Sequence, residues 1–173
     1  MMPPPSNIVL IGMPGSGKST VGVILAKLTS RSFIDTDVLI QTREVRSLQD
    51  IVDHDGYLFL REIEEKTLLG LDLRNHVIAT GGSAVYSPAA MRHLKSDGVI
   101  IFLDVNLETL KARVSDYATR GLAKRPDQNV DDLFAERSAL YRKYADITID
   151  CAGVGHEEVC ARIIQALQAG KRL

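Results

Sequence analysis

The run Gly12-Met13-Pro14-Gly15-Ser16-Gly17-Lys18-Ser19-Thr20 follows directly on four apolar residues, Ile8 to Ile11. It satisfies the pattern GxxxxGK[ST], whose chemistry is the cradling of phosphate. Glycine lacks the Cβ that would intrude, so consecutive backbone N–H groups turn inward around phosphate oxygens. A helix starting inside the motif adds its unpaired N–H groups and the positive end of its dipole. The spacing therefore assigns Gly15, Ser16, Gly17, Lys18, Ser19 and Thr20 to a nucleoside triphosphate. Lys18 reaches the β- and γ-phosphates, and the Ser19 hydroxyl joins the shell of a Mg²⁺ ion.

Further chemistry-bearing residues follow other apolar runs. Phe33-Ile34-Asp35-Thr36-Asp37 puts two carboxylates at a strand end, on one side of an extended chain. Asp35 suits Mg²⁺ through water, and Asp37 suits substrate hydroxyls and one acidic proton; a helix N-cap is the competing reading. Thr80-Gly81-Gly82-Ser83-Ala84 offers a second glycine-rich surface for close approach of a substrate. Arg61 is either a site residue or an i,i+4 partner of Glu65. Arg137, in Glu136-Arg137-Ser138-Ala139-Leu140-Tyr141-Arg142, is either a site residue or part of a solvated helix face. Between about Ser115 and Gln128 the apolar periodicity lapses into Asp116, Arg120, Gly121, Lys124, Arg125, Pro126 and Asp127. Beside a phosphate loop this stretch is expected to be a mobile, arginine-rich lid, because phosphoryl transfer needs cationic closure and exclusion of water.

The elements that must position these residues are legible as alternation. Strand-like runs at Asn7–Ile11, Ser32–Asp35, Val77–Thr80, Val99–Leu103 and Ile147–Ile149 are short and almost continuously apolar. Parallel strands covered on both faces have that character. Between them lie helical patterns: Val21, Ile24, Leu25 and Leu28; a Ser47–Asp50 capping box closed at Asp55-Gly56; about Leu58 to Leu71; one opened by Ser87-Pro88. Asn106 caps a helix to about Arg113. Another runs from Asp131 and Asp132 to about Tyr144, and Glu157 and Glu158 open the last. The expectation is an α/β fold of three layers with right-handed crossovers, its ligands at the carboxyl ends of the strands.

Composition narrows the class. The 173 residues suit one domain, residues 1–173, with 45% hydrophobic and 25% charged residues. A net charge of −1 gives no global field for nucleic acid. The start lacks the basic and apolar regions of a signal peptide, and no apolar run approaches a membrane span. Cys151 and Cys160 have no ligand spacing, so reduced thiols and a cytoplasmic location are expected. The scattered histidines, His54, His76, His93 and His156, show no metal spacing.

Together these segments resemble the shikimate kinases, from Ile8 to about Leu167, with every motif in family order. The resemblance implies a five-stranded parallel sheet of order 2-3-1-4-5 with a mobile lid, using ATP and Mg²⁺. It puts Asp35 near the Mg²⁺ shell and Asp37 on the hydroxyls of a small hydroxy-acid substrate. Arg61 and Arg137 clamp the substrate carboxylate, and the backbone of Gly81 and Gly82 contacts the substrate. Arg113 lies against adenine, and a lid arginine, Arg120 by its spacing, reaches the phosphates. A monomer acting on a small molecule is expected, with neither nucleic acid nor membrane as partner. The chain departs from the usual family pattern at Ser83 (usually a third glycine), Val52 and Leu60 (usually aromatic) and Gly121 (usually proline). Kinases of another hydroxylated or sugar acid such as gluconate, nucleoside monophosphate kinases and a non-catalytic nucleotide-binding module are the alternatives. If Arg120 is the phosphate contact, Arg120→Ala lowers turnover more than Arg125→Ala in a steady-state ADP assay; the reverse ranking moves the contact to Arg125.

Overall fold

Five apolar runs become strands because helices cover both of their faces. The computed structural model describes residues 5–114 and 121–170. Its strands are β1 (Asn7–Ile11), β2 (Ser32–Asp35), β3 (His76–Ala79), β4 (Gly98–Asp104) and β5 (Ile147–Asp150). All neighbours pair in parallel, in the order β2-β3-β1-β4-β5. The expected order is the observed one. Among the described residues the helices are α1 (Lys18–Leu28), α2 (Thr36–Glu44), α3 (Leu48–Asp55), α4 (Tyr57–Leu69), α5 (Pro88–Ser96), α6 (Leu107–Arg113), α7 (Val130–Tyr144) and α8 (His156–Ala169), with a 3-10 turn at Ala84–Tyr86.

Local capping sets most helix starts. Ser47 forms the full capping box with Asp50, while Ser87, Asn106 and Asn129 each accept a first-turn backbone N–H. One helix departs from expectation. Apolar spacing did not signal α2, yet it begins at Thr36, so Asp35 and Asp37 do not share an extended strand. Asp35 closes β2 and caps α2 through Oδ1, and Asp37 stands in the first turn, where the helix dipole favours a carboxylate.

The main core gathers around β1, whose five residues are all buried, and β4. A second, smaller apolar cluster joins Ile40, Ile51, Leu60 and Ala123, with Leu48, Val52, Tyr57 and Ile63 packed against it. It fastens α2, α3 and α4 to residues just after the expected lid arginine. The lid expected over about 115–128 is only partly described: Arg120 lies outside the described residues. Gly121 to Asn129 run as irregular chain with a turn at Pro126-Asp127, and Leu122 and Ala123 are buried. Gly121 has φ +62°, and its Cα sits so close to the start of α3 that a Cβ would lie 2.5 Å from the Gln49 nitrogen. Close docking explains this glycine. Among the described residues no helix is long and apolar enough to cross a membrane.

Gly98 opens β4 under the end of α5. A Cβ there would lie 2.5 Å from the Leu94 carbonyl oxygen and 2.9 Å from Val9 Cγ2. Because the first neighbour is backbone, Gly98→Ala is expected to cost about 1–3 kcal/mol, read as a lower urea midpoint at unchanged m.

Candidate active site

β1 must leave the sheet abruptly after Ile11, and glycines carry the turn. Gly12, Gly15 and Gly17 have φ of 150°, 84° and 95°, a region that side chains strain to enter. Gly17 is the left-handed residue from which α1 starts. Lys18 is buried and donates from Nζ to the carbonyls of Gly12 (2.8 Å) and Met13 (2.9 Å), lying back along the loop that it serves. Ser19 and Thr20 face outward into a cavity of about 830 Å³. The Ser19 hydroxyl hydrogen-bonds Asp35 Oδ2, so one carboxylate caps α2 with one oxygen and meets the phosphate loop with the other. A hydroxyl beside a carboxylate at a phosphate loop fits Mg²⁺, which takes few protein oxygens and fills its octahedron with phosphate and water. Arg113, on the last turn of α6, extends from Nη1 to the Gly15 carbonyl at 3.5 Å.

The opposite wall of the same cavity carries Asp37, Glu64, Gly82, Ser83, Ala123 and Arg137. Gly81 is held by its N–H on Thr36 Oγ1 (3.2 Å), and Gly82 by its carbonyl under the Tyr141 hydroxyl (2.5 Å). A side chain at either position would displace a neighbour that the site uses. A Cβ on Gly81 would lie 2.2 Å from Glu64 Oε1 and 2.6 Å from Asp37 Oδ1; one on Gly82 would lie 2.7 Å from Arg137 Nη1. Arg137 is only 1% exposed, so the solvated-face reading fails. Arg61 points away from Glu65, which takes the Ser87 hydroxyl, so the i,i+4 pair is not formed. Instead Arg61 Nη2 and Arg137 Nη2 donate to the same oxygen, the Ala123 carbonyl, at 3.1 Å each. Their Nε atoms are buried without a protein partner. Two guanidiniums converging on one oxygen can hold a planar carboxylate.

Residues 14–168 match the shikimate kinase family model. The chain belongs to the shikimate kinase family. A shikimate kinase of Caldanaerobacter subterraneus subsp. tengcongensis is 37% identical over 163 residues, covering 92% of this chain and 95% of that one. The structure of the Acinetobacter baumannii shikimate kinase in complex with shikimate superposes with a TM-score of 0.88 at 30% identity, covering 96% of this chain and 94% of that one. The Aquifex aeolicus shikimate kinase gives 0.83 at 36% identity, with 95% and 98% covered. As a member of the shikimate kinase family the chain is a phosphotransferase with an alcohol acceptor, and the family uses ATP with Mg²⁺.

Of the expected residues, Gly15, Gly17, Lys18, Ser19, Thr20 and Arg113 line the cavity on one side and Asp37, Gly82 and Arg137 on the other. Ser16, Asp35, Arg61 and Gly81 are outside that lining, Asp35 bonded to Ser19 and Arg61 to the Ala123 carbonyl. Arg125, the alternative lid contact, is occupied elsewhere, bonding Glu136 at 3.2 Å. Leu60 stands on the cavity wall, whereas Val52 packs in the cluster behind it. Three groups around this pocket escaped the sequence reading: Glu64, the Ala123 carbonyl and Tyr86, whose ring lies 3.6 Å from the Arg61 guanidinium carbon. For Glu64 a signal existed. Leu60, Glu64, Thr67 and Leu68 form the buried stripe of α4, so a carboxylate occupies a position patterned for a hydrophobe.

Burial, and after it the neighbouring Asp37, push the Glu64 carboxyl up to about 8, while Ser83 donates its hydroxyl to Glu64 Oε2. The fold thus retains a proton that the unfolded chain releases near 4.5. That contribution is complete below the unfolded value and is lost as pH rises towards 8. The stability difference, wild type minus Glu64→Gln, is expected to fall steadily between about pH 5 and pH 8, measured by urea unfolding. A flat difference would return Glu64 to the ordinary carboxylate range.

Proposed function

We propose that this chain transfers the γ-phosphate of ATP to the 3-hydroxyl of shikimate. The observation that carries the reading is the convergence of Arg61 and Arg137 on one oxygen, on the cavity wall that also bears Asp37. A compact acid with ring hydroxyls matches that pairing of fork donors and carboxylate; a nucleobase does not. Arg61 and Arg137 bind the acceptor carboxylate, displacing or sharing the Ala123 carbonyl, and backbone groups of Gly81 and Gly82 support the ring. Asp37 orients the attacking hydroxyl and takes its proton. Lys18 leaves the loop carbonyls for the β- and γ-phosphates, and Arg120 meets the same charge from the lid. Arg113 lies against adenine. Ser19 and Asp35 would hold Mg²⁺, which would supply charge neutralisation to the transferring phosphoryl group. Positioning and electrostatics lower the barrier, with no covalent intermediate on the protein.

Residues 1–173 act as one kinase domain with the lid inserted at about 115–128. We further propose a cytoplasmic monomer that engages only small molecules. ADP formation from Mg²⁺-ATP tests the function, with shikimate set against quinate, gluconate and nucleoside monophosphates. Shikimate alone is expected to stimulate strongly, and Lys18→Ala is expected to lower that turnover by at least about 100-fold with the fold intact. Stimulation by another acid, and none by shikimate, would reassign the acceptor.

A further inference from the structure

Tyr86 ends the 3-10 turn that follows the Gly81-Gly82 pair. Its ring lies 3.6 Å from the guanidinium carbon of Arg61 and 5.6 Å from that of Arg137. Tyr57 stands on Arg61 as well, at 5.2 Å. The Tyr86 hydroxyl donates to Glu136 Oε1 at 2.5 Å, and Glu136 also accepts from Arg125 and Gln128, both 3.2 Å away. The Tyr86 hydrogen bond, first among these contacts, holds the Glu136 carboxyl below the ordinary carboxylate value.

Two guanidiniums that share one carbonyl oxygen are close enough to repel in a half-dry site. A negative ring face offsets that repulsion where a ring approaches both, and Tyr86 is within cation–π reach of each. A planar ring also restricts the long Arg61 side chain, whose Nε has no protein partner. Anchoring the ring's far end on Glu136 then decides where its face stands. Aromatic packing on the acceptor side is thus supplied from the 3-10 turn, while Leu60 and Val52 occupy α4 and α3.

We propose that Tyr86 is a positioning residue for the acceptor carboxylate: its ring, tethered through Glu136, holds the Arg61 fork in the orientation that the acid requires. This rests on the clamp reading above. The substrate meets Arg61 and Arg137, and Tyr86 acts on affinity for the acid through them.

The test compares Tyr86→Phe, Tyr86→Leu and Tyr86→Ala with wild type, using shikimate and its primary amide as acceptors and ATP as donor. Tyr86→Phe keeps the ring but loses the tether to Glu136, and is expected to raise KM for shikimate about threefold. Tyr86→Leu and Tyr86→Ala are expected to raise it about tenfold, with kcat and KM for ATP within about twofold. The preference for the acid over the amide shrinks by the same tenfold, a change that loose packing alone does not produce. Should Tyr86→Ala fail to fold, Tyr86→Leu, which fills most of the volume, carries the comparison. Unchanged KM and unchanged acid preference in Tyr86→Leu, or equal rises in the KM of shikimate and ATP, overturn the role of Tyr86 and leave the clamp standing. No turnover of shikimate by wild type removes the clamp reading and this inference with it.

Discussion

A guanidinium sealed from water must find acceptors and polarizable faces within its own fold, and Arg137 makes that demand at the centre of this molecule. At 1% exposure it cannot lean on solvent. Its surroundings answer in kind: the Ala123 carbonyl takes a hydrogen bond, Tyr86 presents a ring face, and Glu64 brings a carboxyl into the same pocket. Removing the Ala123 acceptor or the Tyr86 ring face leaves that buried charge less well compensated, which is costly in a low-dielectric interior. Much of the acceptor side follows from this requirement. Gly82 has no side chain because Arg137 Nη1 occupies that space, and Gly81 has none because Glu64 and Asp37 do.

The donor side answers a different constraint, that of ending a buried parallel strand against an anion. β1 is buried throughout, so the chain leaving it must turn at once and expose N–H groups rather than side chains. The same strand pairs with β3 on one flank and β4 on the other, so loops from β3, β4 and β1 open on one edge of the sheet. β2 lies beyond β3, which carries Asp35 to the Ser19 hydroxyl and Asp37 to the opposite wall. Both walls share a single cavity because parallel strands all present their carboxyl ends at one edge of the sheet.

The second apolar cluster ties these sides to the chain after Arg120. Ala123 is buried against Ile40, Ile51 and Leu60, and its carbonyl receives both arginines. Gly121 is pinned to the start of α3 by its positive φ, its close approach and the bond from its N–H to Gln49 Oε1 at 2.6 Å. The segment expected to close over the phosphates is therefore anchored at its far end inside the acceptor site. Arg61 and Arg137 thus meet the chain after residue 120 at one backbone oxygen.

Much of this was legible in the chain because local chemistry dictates it. Glycine spacing after an apolar run specifies a phosphate loop wherever it occurs, and side-chain caps at Ser47, Ser87, Asn106 and Asn129 start helices within a few residues of themselves. The five apolar runs likewise declare strands buried on both faces. What the sequence by itself determined was the fold class, the phosphate chemistry and the residue types that converge. It did not announce α2, since that helix has a weak apolar stripe and depends on the Asp35 cap and on packing against α4. Nor did it show which Arg137 reading holds, because exposure is a property of neighbours far along the chain. Glu64, Tyr86 and the Ala123 carbonyl came only from tertiary structure. Their chemistry arises from burial and from distances of tens of residues closed to a few ångströms, which no local pattern encodes.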